Sequence, residues 1–208
     1  MSPKTGRRSR QGLESRLRII EATFEIAAEL GYAGTSIGKV SERSGLPASS
    51  VYWHFANKDE LFAEVIQHSF DEWNASFADP VPPADQREQP DILRQNCRHL
   101  VASISSSPEF WRLGLMLALE CQAVEPTARR RFLEIRRVVL ERLADFWRAA
   151  LPPPSQRQNP ELPGRLARFT MATSDGIFVA AQAEGGGDLE ALAELLADSL
   201  EALACRHG

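Results

Sequence analysis

The 208-residue sequence predicts an all-α protein of about nine helices. Apolar residues recur at spacings of three and four through most of the chain, which is the period of an amphipathic helix. Glycines, prolines and hydroxyl or amide residues interrupt this pattern where helices would begin and end. No stretch shows the strict alternation of a half-buried strand. We therefore expect a small N-terminal three-helix bundle followed by a larger helical domain.

The first helix is predicted over residues 12–31 and ends at Gly31. Its apolar face is expected to pack beneath the helices that follow, and consists of Leu13, Leu17, Ile20, Phe24 and Ala27. Residues 1–11 are basic and polar without periodicity, so we expect a flexible arm there. Such an arm either contacts DNA through its arginines or is a tail that only aids solubility.

The stretch from Thr35 to Phe62 predicts two short helices, a tight turn between them, and the start of a long helix. The hydroxyl groups of Thr35 and Ser36 are placed to accept hydrogen bonds from the first amides of the second helix. Gly45 supplies a left-handed turn at its end. Pro47 suits the first position of the third helix, where a missing amide costs nothing.

The third helix, Ala48 to Phe55, has two contrasting faces when its residues are turned by 100° each. Val51 and Phe55 share the apolar face. The other side carries hydroxyl groups and rings, from Ser49, Ser50, Tyr52, Trp53 and His54. Two short helices with a polar and aromatic second member are typical of a helix-turn-helix, whose second helix enters the DNA major groove.

The run GLPASSVYWHFANKDELF resembles the signature of the TetR family of bacterial transcriptional regulators. The most specific part, Y-x-H-F-x-N-K-x-x-L, is present as Tyr52, His54, Phe55, Asn57, Lys58 and Leu61. The resemblance extends over about residues 14–66, and beyond them it is one of length and architecture. The sequence departs from the family at Pro47, where Ser or Thr is common, and at Ala48, where a basic residue is common.

The resemblance and the helix faces together predict the DNA contacts. Base or sugar-edge contacts are expected from Ser49, Ser50, Tyr52 and Trp53. Ala48 occupies a position at which the family often contacts DNA through a basic residue. Phosphate contacts are expected from Thr35, Ser36, His54 and Lys58. Arg7, Arg8 and Arg10 would add salt-dependent affinity.

The charge distribution agrees with a polyanionic partner for the N-terminal end. The net charge is −4, yet residues 1–18 contain six basic residues and one acidic residue. Residues 61–208 contain 15 basic and 21 acidic residues. No apolar run approaches a signal peptide or a membrane span, and three scattered cysteines form no disulfide or zinc pattern, so we expect a cytoplasmic protein without a membrane partner.

The rest of the chain predicts six more helices. The fourth helix opens at Asn57, with Glu60 completing a capping box, and reaches about residue 78. The remaining helices are expected over residues 91–107, 108–123, 126–151 and 165–184, and from Asp188 to the end. Proline-rich loops are expected over 79–90 and 151–164. The predicted domains are the arm 1–11, the DNA-binding domain 12–60, and an effector-binding and dimerisation domain 61–208.

The last two helices are expected to pair with a second copy of the chain. Their apolar faces are formed by Leu166, Phe169, Thr173, Ile177 and Ala180, and by Leu189, Leu192, Leu196, Leu200 and Leu203. Such helices can form a four-helix interface, and a dimer would place two reading helices about 34 Å apart on a palindrome. The alternative is that these faces only complete the core of one chain.

The resemblance implies that the middle helices enclose a pocket for a small-molecule effector. The candidate lining residues are Trp111, Leu115, Met116, Leu119, Phe146, Trp147, Asp175 and Phe178. The alternative is that they are core, with Asp175 paired to an arginine, since a carboxylate in an apolar helix must be paired, hydrated or facing a cavity.

Catalytic, cofactor and metal motifs are absent from the sequence. The first function hypothesis is therefore a dimeric repressor, released from a palindromic DNA operator by a ligand. The second is a helical interaction module whose helix-turn-helix no longer reads DNA, which the changes at Pro47 and Ala48 favour. The third, an enzyme on a helical bundle, lacks a convergent set of titratable groups. Cys121 is either a thiol sensor or a buried structural cysteine.

Overall fold

The computed structural model describes residues 3–76, 89–106, 108–119 and 127–207. Within these ranges the chain is helical and contains no strand, which confirms the all-α prediction. Ten helices are present there: α1 (Pro3–Gly34), α2 (Ile37–Ser44), α3 (Ala48–His54), α4 (Lys58–Ser76), α5 (Gln89–Ser106), α6 (Pro108–Leu119), α7 (Thr127–Ala150), α8 (Pro153–Gln158), α9 (Leu162–Glu184) and α10 (Leu189–His207).

The helices divide into two compact units. The first contains Met1–Asp71 and Arg112–Leu133, and the second contains Glu72–Trp111 and Glu134–Gly208. Helices α4, α6 and α7 each contribute residues to both units. Parts of α6 and α7 thus belong to the same compact unit as the N-terminal helices, and the domain boundary at residue 60 stays a prediction.

In the first unit, α1, α2 and α3 pack on one another around an aliphatic core. The core side chains include Ile19, Ile20, Ile26, Val40, Val51, Leu61 and Phe62. Arg18 fixes the turn between α2 and α3, since its guanidinium donates to the carbonyl of Ser44 at 2.5 Å. This packing fixes the direction in which α3 presents its other face.

Helix α1 differs from its prediction at its N-terminal end. Its backbone is helical from Pro3, so the segment 3–11 is not the irregular arm that its polar composition suggested. Leu13 and Leu17 are 61% and 42% exposed, so the predicted packing of the first two apolar positions is wrong. Gly31, with φ 71° and ψ 179°, ends the regular helix as predicted.

In the second unit, α5, α9 and α10 pack against one another. The core side chains include Ile104, Trp147, Leu162, Leu166, Leu196 and Leu200. Ion pairs link α5 to α10. The guanidinium nitrogens of Arg94 lie 3.3 Å from a carboxylate oxygen of Glu194 and 2.8 Å from one of Asp198. The unit is thus a helical layer whose inner faces are aliphatic.

Helix α8 was not predicted. The sequence indicated a loop over residues 151–164, yet Pro153–Gln158 is helical and α9 already begins at Leu162. The prolines lie in the first turns of these helices, where a backbone amide has no helical partner to lose. Residues 79–88 of the other predicted loop lie outside the described residues, and Gln89 and Pro90 belong to α5.

Across the described ranges, no helix combines the length and the apolar character that crossing a membrane requires.

Candidate nucleic-acid interface

The turn between α2 and α3 follows directly from the local sequence. The Ser36 hydroxyl oxygen accepts a hydrogen bond from the Lys39 amide at 3.3 Å, as predicted for a helix cap. Gly45 ends α2 with φ 66°, in the left-handed region that favours glycine. Pro47 precedes α3 with φ −61° and makes no side-chain cap. Helix α2 therefore ends at Gly45 as predicted, whereas α3 ends at His54, one residue before the predicted Phe55, and Pro47 is its N-cap and not its first residue.

The orientation of α3 confirms the predicted faces. Val51 is fully buried and Phe55 is nearly so. Tyr52 is 57% exposed and Trp53 76% exposed, values that are unusual for large rings without a functional reason to face solvent. Ser49 is also exposed, whereas Ala48 and Ser50 are half-buried. The aliphatic side thus anchors the helix, and a surface of hydroxyl groups and rings faces outward.

The indole of Trp53 lies across helix α1. Two of its ring carbons are 3.9 Å from the position that a Cβ would take at Gly12, so the ring lies close to the helix backbone. Trp53 also meets the His54 ring edge-on, with the two centroids 4.5 Å apart. One part of the indole is therefore held by the protein while most of its surface remains exposed.

Thr35 does not occupy the predicted surface position. It is 2% exposed, and its hydroxyl donates to the Gly31 carbonyl at 2.8 Å. Its amide donates to the Tyr32 carbonyl at 3.2 Å. Thr35 therefore completes the irregular end of α1 and the cap on α2 comes from Ser36, while the predicted phosphate contact of Thr35 stays a prediction.

Lys58 has a structural role, and its predicted phosphate contact stays a prediction. Its ammonium donates to the carbonyls of Tyr32 and Thr35 at 3.0 and 3.2 Å. The same ammonium lies 4.1 Å from the centre of the Tyr32 ring, a cation–π contact. These contacts explain a cation in the first turn of α4, where the helix dipole disfavours one.

His54 is half-buried at the end of α3. Burial lowers the pKa of its imidazole, and the nearby positive charge of Arg16 lowers it further. Arg16 is itself held by Glu64 and lies over the Phe55 ring at 5.4 Å. His54 is therefore neutral near pH 7 in the free protein, and its predicted phosphate contact stays a prediction.

The basic residues of the first unit differ in their availability. Arg10 is exposed, whereas the side chains of Arg7 and Arg8 lie outside the described residues. Arg43 is engaged by Glu25 and Glu29 at 3.0 and 3.1 Å. Lys39 is exposed in the first turn of α2, one turn from Ser36, and sequence reasoning missed it. Its position in the turn capped by Ser36 was the signal that could have identified it.

The predicted effector residues differ in their burial, and their role in binding an effector stays a prediction. Leu119 is 79% exposed and cannot line an enclosed pocket as it stands. Leu115 and Met116 are half-buried, and the Met116 sulfur lies 3.8 Å from the Cβ position of Gly31, in the first unit. Trp111, Phe146, Trp147 and Phe178 are buried in the second unit.

Asp175 is paired, which was one of the alternatives for it. Its two oxygens accept hydrogen bonds from the Arg136 guanidinium at 3.0 and 2.7 Å. Both side chains are about three-quarters buried or more. This bidentate contact joins α7 to α9 and satisfies the carboxylate without a ligand.

One described cavity lies in the second unit, with a volume of about 30 Å³. Phe146 and Trp147 line it, and their predicted role in an effector pocket stays a prediction. Sequence reasoning missed the other lining residues, which are Leu93, Asn96, Cys97, Leu100, Leu143, Thr170 and Leu200. Core and cavity positions share the same helical spacing, so no sequence signal separates them. The volume holds one or two water molecules, far below the roughly 300 Å³ of a small ligand site.

Two cysteines lie in the described ranges, and Cys205 is the exposed one. Cys97 is buried, and burial raises the pKa of its thiol to about 12, so it stays protonated. Cys121 lies outside the described residues. No group of three or more His, Cys, Asp or Glu side chains could hold a metal ion in the part of the chain described.

The fold and this surface define a helix-turn-helix protein with a helical second unit. Residues 19–65 match the model of the bacterial regulatory proteins of the tetR family. The regulator BetI of Burkholderia thailandensis is 27% identical over 207 residues, which is 97% of each chain. Matches to other curated regulators are partial, and the chain spans 26 to 35% of the length of several of them. Residues 19–65 therefore carry the tetR-family DNA-binding region, and the whole chain is similar to a TetR-type regulator along its length.

Solved structures show the same fold. A transcriptional regulator of Rhodococcus sp. RHA1 superposes with a TM-score of 0.71 at 20% identity, over 90% of this chain and 96% of that one. AibR, solved in complex with isovaleryl coenzyme A and operator DNA, gives a TM-score of 0.62 at 16% identity, over 89% and 97%. At these identities the likeness concerns the fold alone.

Proposed function

We propose that this protein is a cytoplasmic, dimeric repressor that binds a palindromic DNA operator and leaves it when a small-molecule effector binds. Similarity to TetR-type regulators supports the DNA-binding and regulatory parts of this proposal. The observation that carries it is the outward face of α3, where Tyr52 and Trp53 are exposed while Val51 and Phe55 hold the helix inward. A helix presented in this way fits the major groove.

The contacts divide into two groups. Ser49, Tyr52 and Trp53 are positioned to meet base edges and thymine methyl groups, because they project furthest from the anchored side. Ser36, Lys39 and Arg10 carry exposed donors that suit phosphates. Only the first group would distinguish one sequence from another.

Dimerisation is supported by an exposed stripe on α9 that differs from the face the sequence suggested. Leu166 and Ile177 are buried in their own chain, as are Leu196 and Leu200 of α10. The exposed positions are instead one or two turns apart and carry small or apolar side chains, namely Phe169, Ala172, Gly176 and Val179. Leu195 of α10 is exposed as well. Small residues allow two helices to approach closely.

The effector part of the proposal is supported by the second unit, which combines a small apolar cavity with a buried aromatic cluster. The cavity must enlarge before a ligand of ordinary size enters. The solved complex of AibR, which shares this fold, contains both a ligand and operator DNA.

Selection of binding sites from random DNA duplexes, followed by gel-shift titration, tests the proposal. We expect an enriched palindrome, and we expect Tyr52→Ala to reduce the preference for it over random DNA by about tenfold or more, since one specific contact is worth about 1–3 kcal/mol. Arg10→Ala is the control. It should weaken binding to the palindrome and to random DNA equally, and it should reduce the salt dependence of the affinity. No enrichment and no salt-dependent binding would contradict the proposal.

That negative outcome would favour the second candidate, a helix-turn-helix that docks a protein. The observation on its side is that Pro47 makes no side-chain cap on α3 and Ala48 offers no cationic contact.

A further inference from the structure

The N-terminal part of α1 is a helix with little packing to hold it. Its backbone is helical from Pro3, but the first fully buried side chain among those described on α1 is Ile19. Before Ile19, Leu13 is 61% exposed, and Gly12 and Arg16 are half-buried. A helix that buries no apolar face is marginal in water, because most helical stability in proteins comes from tertiary packing. This segment therefore depends on contacts with another element to keep its helical form.

Two rings at the C-terminal end of α3 supply contacts one helical turn apart on α1. The guanidinium of Arg16 lies over the Phe55 ring at 5.4 Å and is held by Glu64. One turn nearer the N-terminus, Cη2 and Cζ3 of Trp53 lie 3.9 Å from the Cβ position of Gly12. These two atoms belong to the six-membered ring, at the end of the indole opposite its N–H group. Because Gly12 has no side chain, this edge of the ring lies close to the helix backbone.

The indole of Trp53 also belongs to the surface that is proposed to face DNA. It is 76% exposed on the side of α3 opposite the buried Val51, and the His54 ring meets it edge-on with the centroids 4.5 Å apart. The part of α1 that packs against this ring therefore lies beside the surface that would enter the major groove.

The segment of α1 that precedes this contact is strongly basic. Residues 1–11 contain no acidic residue and four basic ones, namely Lys4, Arg7, Arg8 and Arg10. The nine helical residues 3–11 extend about 14 Å, at a rise of about 1.5 Å per residue. The major groove is about 12 Å wide, so a helix of this length beside α3 is long enough to reach phosphates at the edge of the groove.

We infer that Trp53 is a positioning residue: its ring holds the N-terminal turns of α1 beside α3 and so places the basic residues of that segment on the phosphates that flank the bases. This inference rests on the proposed function, and it adds a contact within the protein to the base contact proposed for Trp53. A free tail loses conformational entropy each time it binds DNA, whereas a segment that is already held loses less. Trp53 therefore raises the affinity for DNA of any sequence.

The first test is made without DNA. Hydrogen exchange of the backbone amides of residues 7–13 is compared in the full-length wild type, in Trp53→Ala and in Tyr52→Ala. Tyr52 is the matched control, because it is an exposed ring on the same side of α3 but has no atom within 4 Å of the Cβ position of Gly12. We expect Trp53→Ala to accelerate exchange at these amides about tenfold, since local opening becomes easier when an aromatic contact is lost. Tyr52→Ala should leave the exchange unchanged.

The second test measures the salt dependence of binding to random duplex DNA. Arg7, Arg8 and Arg10 are replaced together by Ala in the wild-type protein, in Trp53→Ala and in Tyr52→Ala. In the wild-type and Tyr52→Ala proteins, the triple replacement should reduce the slope of log affinity against log salt by about 2 to 3, since each phosphate contact contributes about 0.9. In Trp53→Ala it should reduce the slope by about 1 or less. A residue that only reads bases would give additive effects, as independent sites do.

Three results would overturn the inference: unprotected amides at residues 7–13 in the wild type, unchanged exchange in Trp53→Ala, or an equal effect of the triple replacement in the wild-type and Trp53→Ala proteins. Each of these results leaves the proposed function intact when the wild-type protein binds its operator. Failure of the wild-type protein to bind any DNA would instead defeat the proposed function and the phosphate contacts inferred from it. The exchange comparison would still decide whether Trp53 holds the N-terminal turns of α1.

Discussion

Single residues of the shared motif serve two different purposes. Phe55 and Leu61 are buried, and Lys58 binds backbone carbonyls, so these positions hold the reading helix in place. Tyr52, by contrast, is exposed. A motif therefore identifies the fold through its structural residues, and the residues that read DNA must be found from the face on which they lie.

Lys58 gives a prediction at this scale. Replacing it with Met keeps the length of the side chain but removes both hydrogen bonds to Tyr32 and Thr35. We expect the free energy of unfolding in urea to fall by about 1–3 kcal/mol, since charge-assisted bonds at a half-buried site are lost. Arg10→Met is the control, because Arg10 is exposed, whereas the Lys39 ammonium itself donates to the Gly34 carbonyl at 2.6 Å. Equal free energies of unfolding for the two variants would show that the Lys58 contacts add no stability. That result would favour a phosphate-binding role for Lys58.

His54 gives a pH-dependent prediction. Its pKa is lowered in the free protein by burial and by Arg16, so the folded state favours the neutral ring. Stability from this group is present above the unfolded pKa of about 6.5 and is lost as the pH falls towards the folded value. A DNA phosphate beside the ring would raise the pKa in the complex. Operator affinity should therefore rise relative to His54→Gln as the pH falls from about 7.5 to 6. Parallel pH profiles for the two proteins would exclude the contact.

At the scale of elements, the sequence predicts the features that depend on neighbouring residues. It misses the features that depend on contacts between residues far apart in the sequence. The caps of α2 and α10 were readable because Ser36 and Asp188 accept bonds from amides three residues ahead. The start of α7 depends on a residue far away in the sequence. Asp59 of α4 accepts hydrogen bonds from the Thr127 and Ala128 amides at 2.6 and 3.1 Å. No spacing rule reveals a cap 68 residues distant.

Asp59 therefore makes a prediction about an element. Asp59→Ala removes the acceptor for two amides and a negative charge at a helix N-terminus, so we expect a loss of about 1–2 kcal/mol in stability. Hydrogen exchange at Thr127 and Ala128 should accelerate. Asp91→Ala, in the exposed first turn of α5, is the matched control. Unchanged exchange at Thr127 and Ala128 would show that the cap contributes nothing to the start of α7.

The same limit explains the errors in the second unit. Prolines 152–154 were interpreted as a loop, although proline is also the residue best suited to the first turn of a helix. The leucines of α10 were assigned to a partner, although Leu196 and Leu200 complete the core of their own chain. Helical spacing identifies an apolar face, and it does not say which surface covers that face.

At the scale of the whole molecule, dimerisation decides whether a palindrome can be read. A single helix-turn-helix contacts one half-site, whereas two copies about 34 Å apart contact both and multiply their affinities. The interface proposed on α9 is therefore expected to control operator affinity, although it lies in the second unit and not in the helix-turn-helix. A change there should weaken DNA binding without altering α3.

Val179 tests this coupling. It is 55% exposed on the α9 stripe, and Val179→Asp places a charge where two copies would meet, which costs several kcal/mol when the charge is desolvated. We expect a monomer in analytical ultracentrifugation, and binding to the full palindrome reduced to the level of a half-site. Val138→Asp is the control, since Val138 is 41% exposed on α7, away from the stripe. A Val179→Asp protein that remains dimeric would place the interface elsewhere. A monomer that still binds the palindrome as tightly as wild type would separate dimerisation from operator recognition.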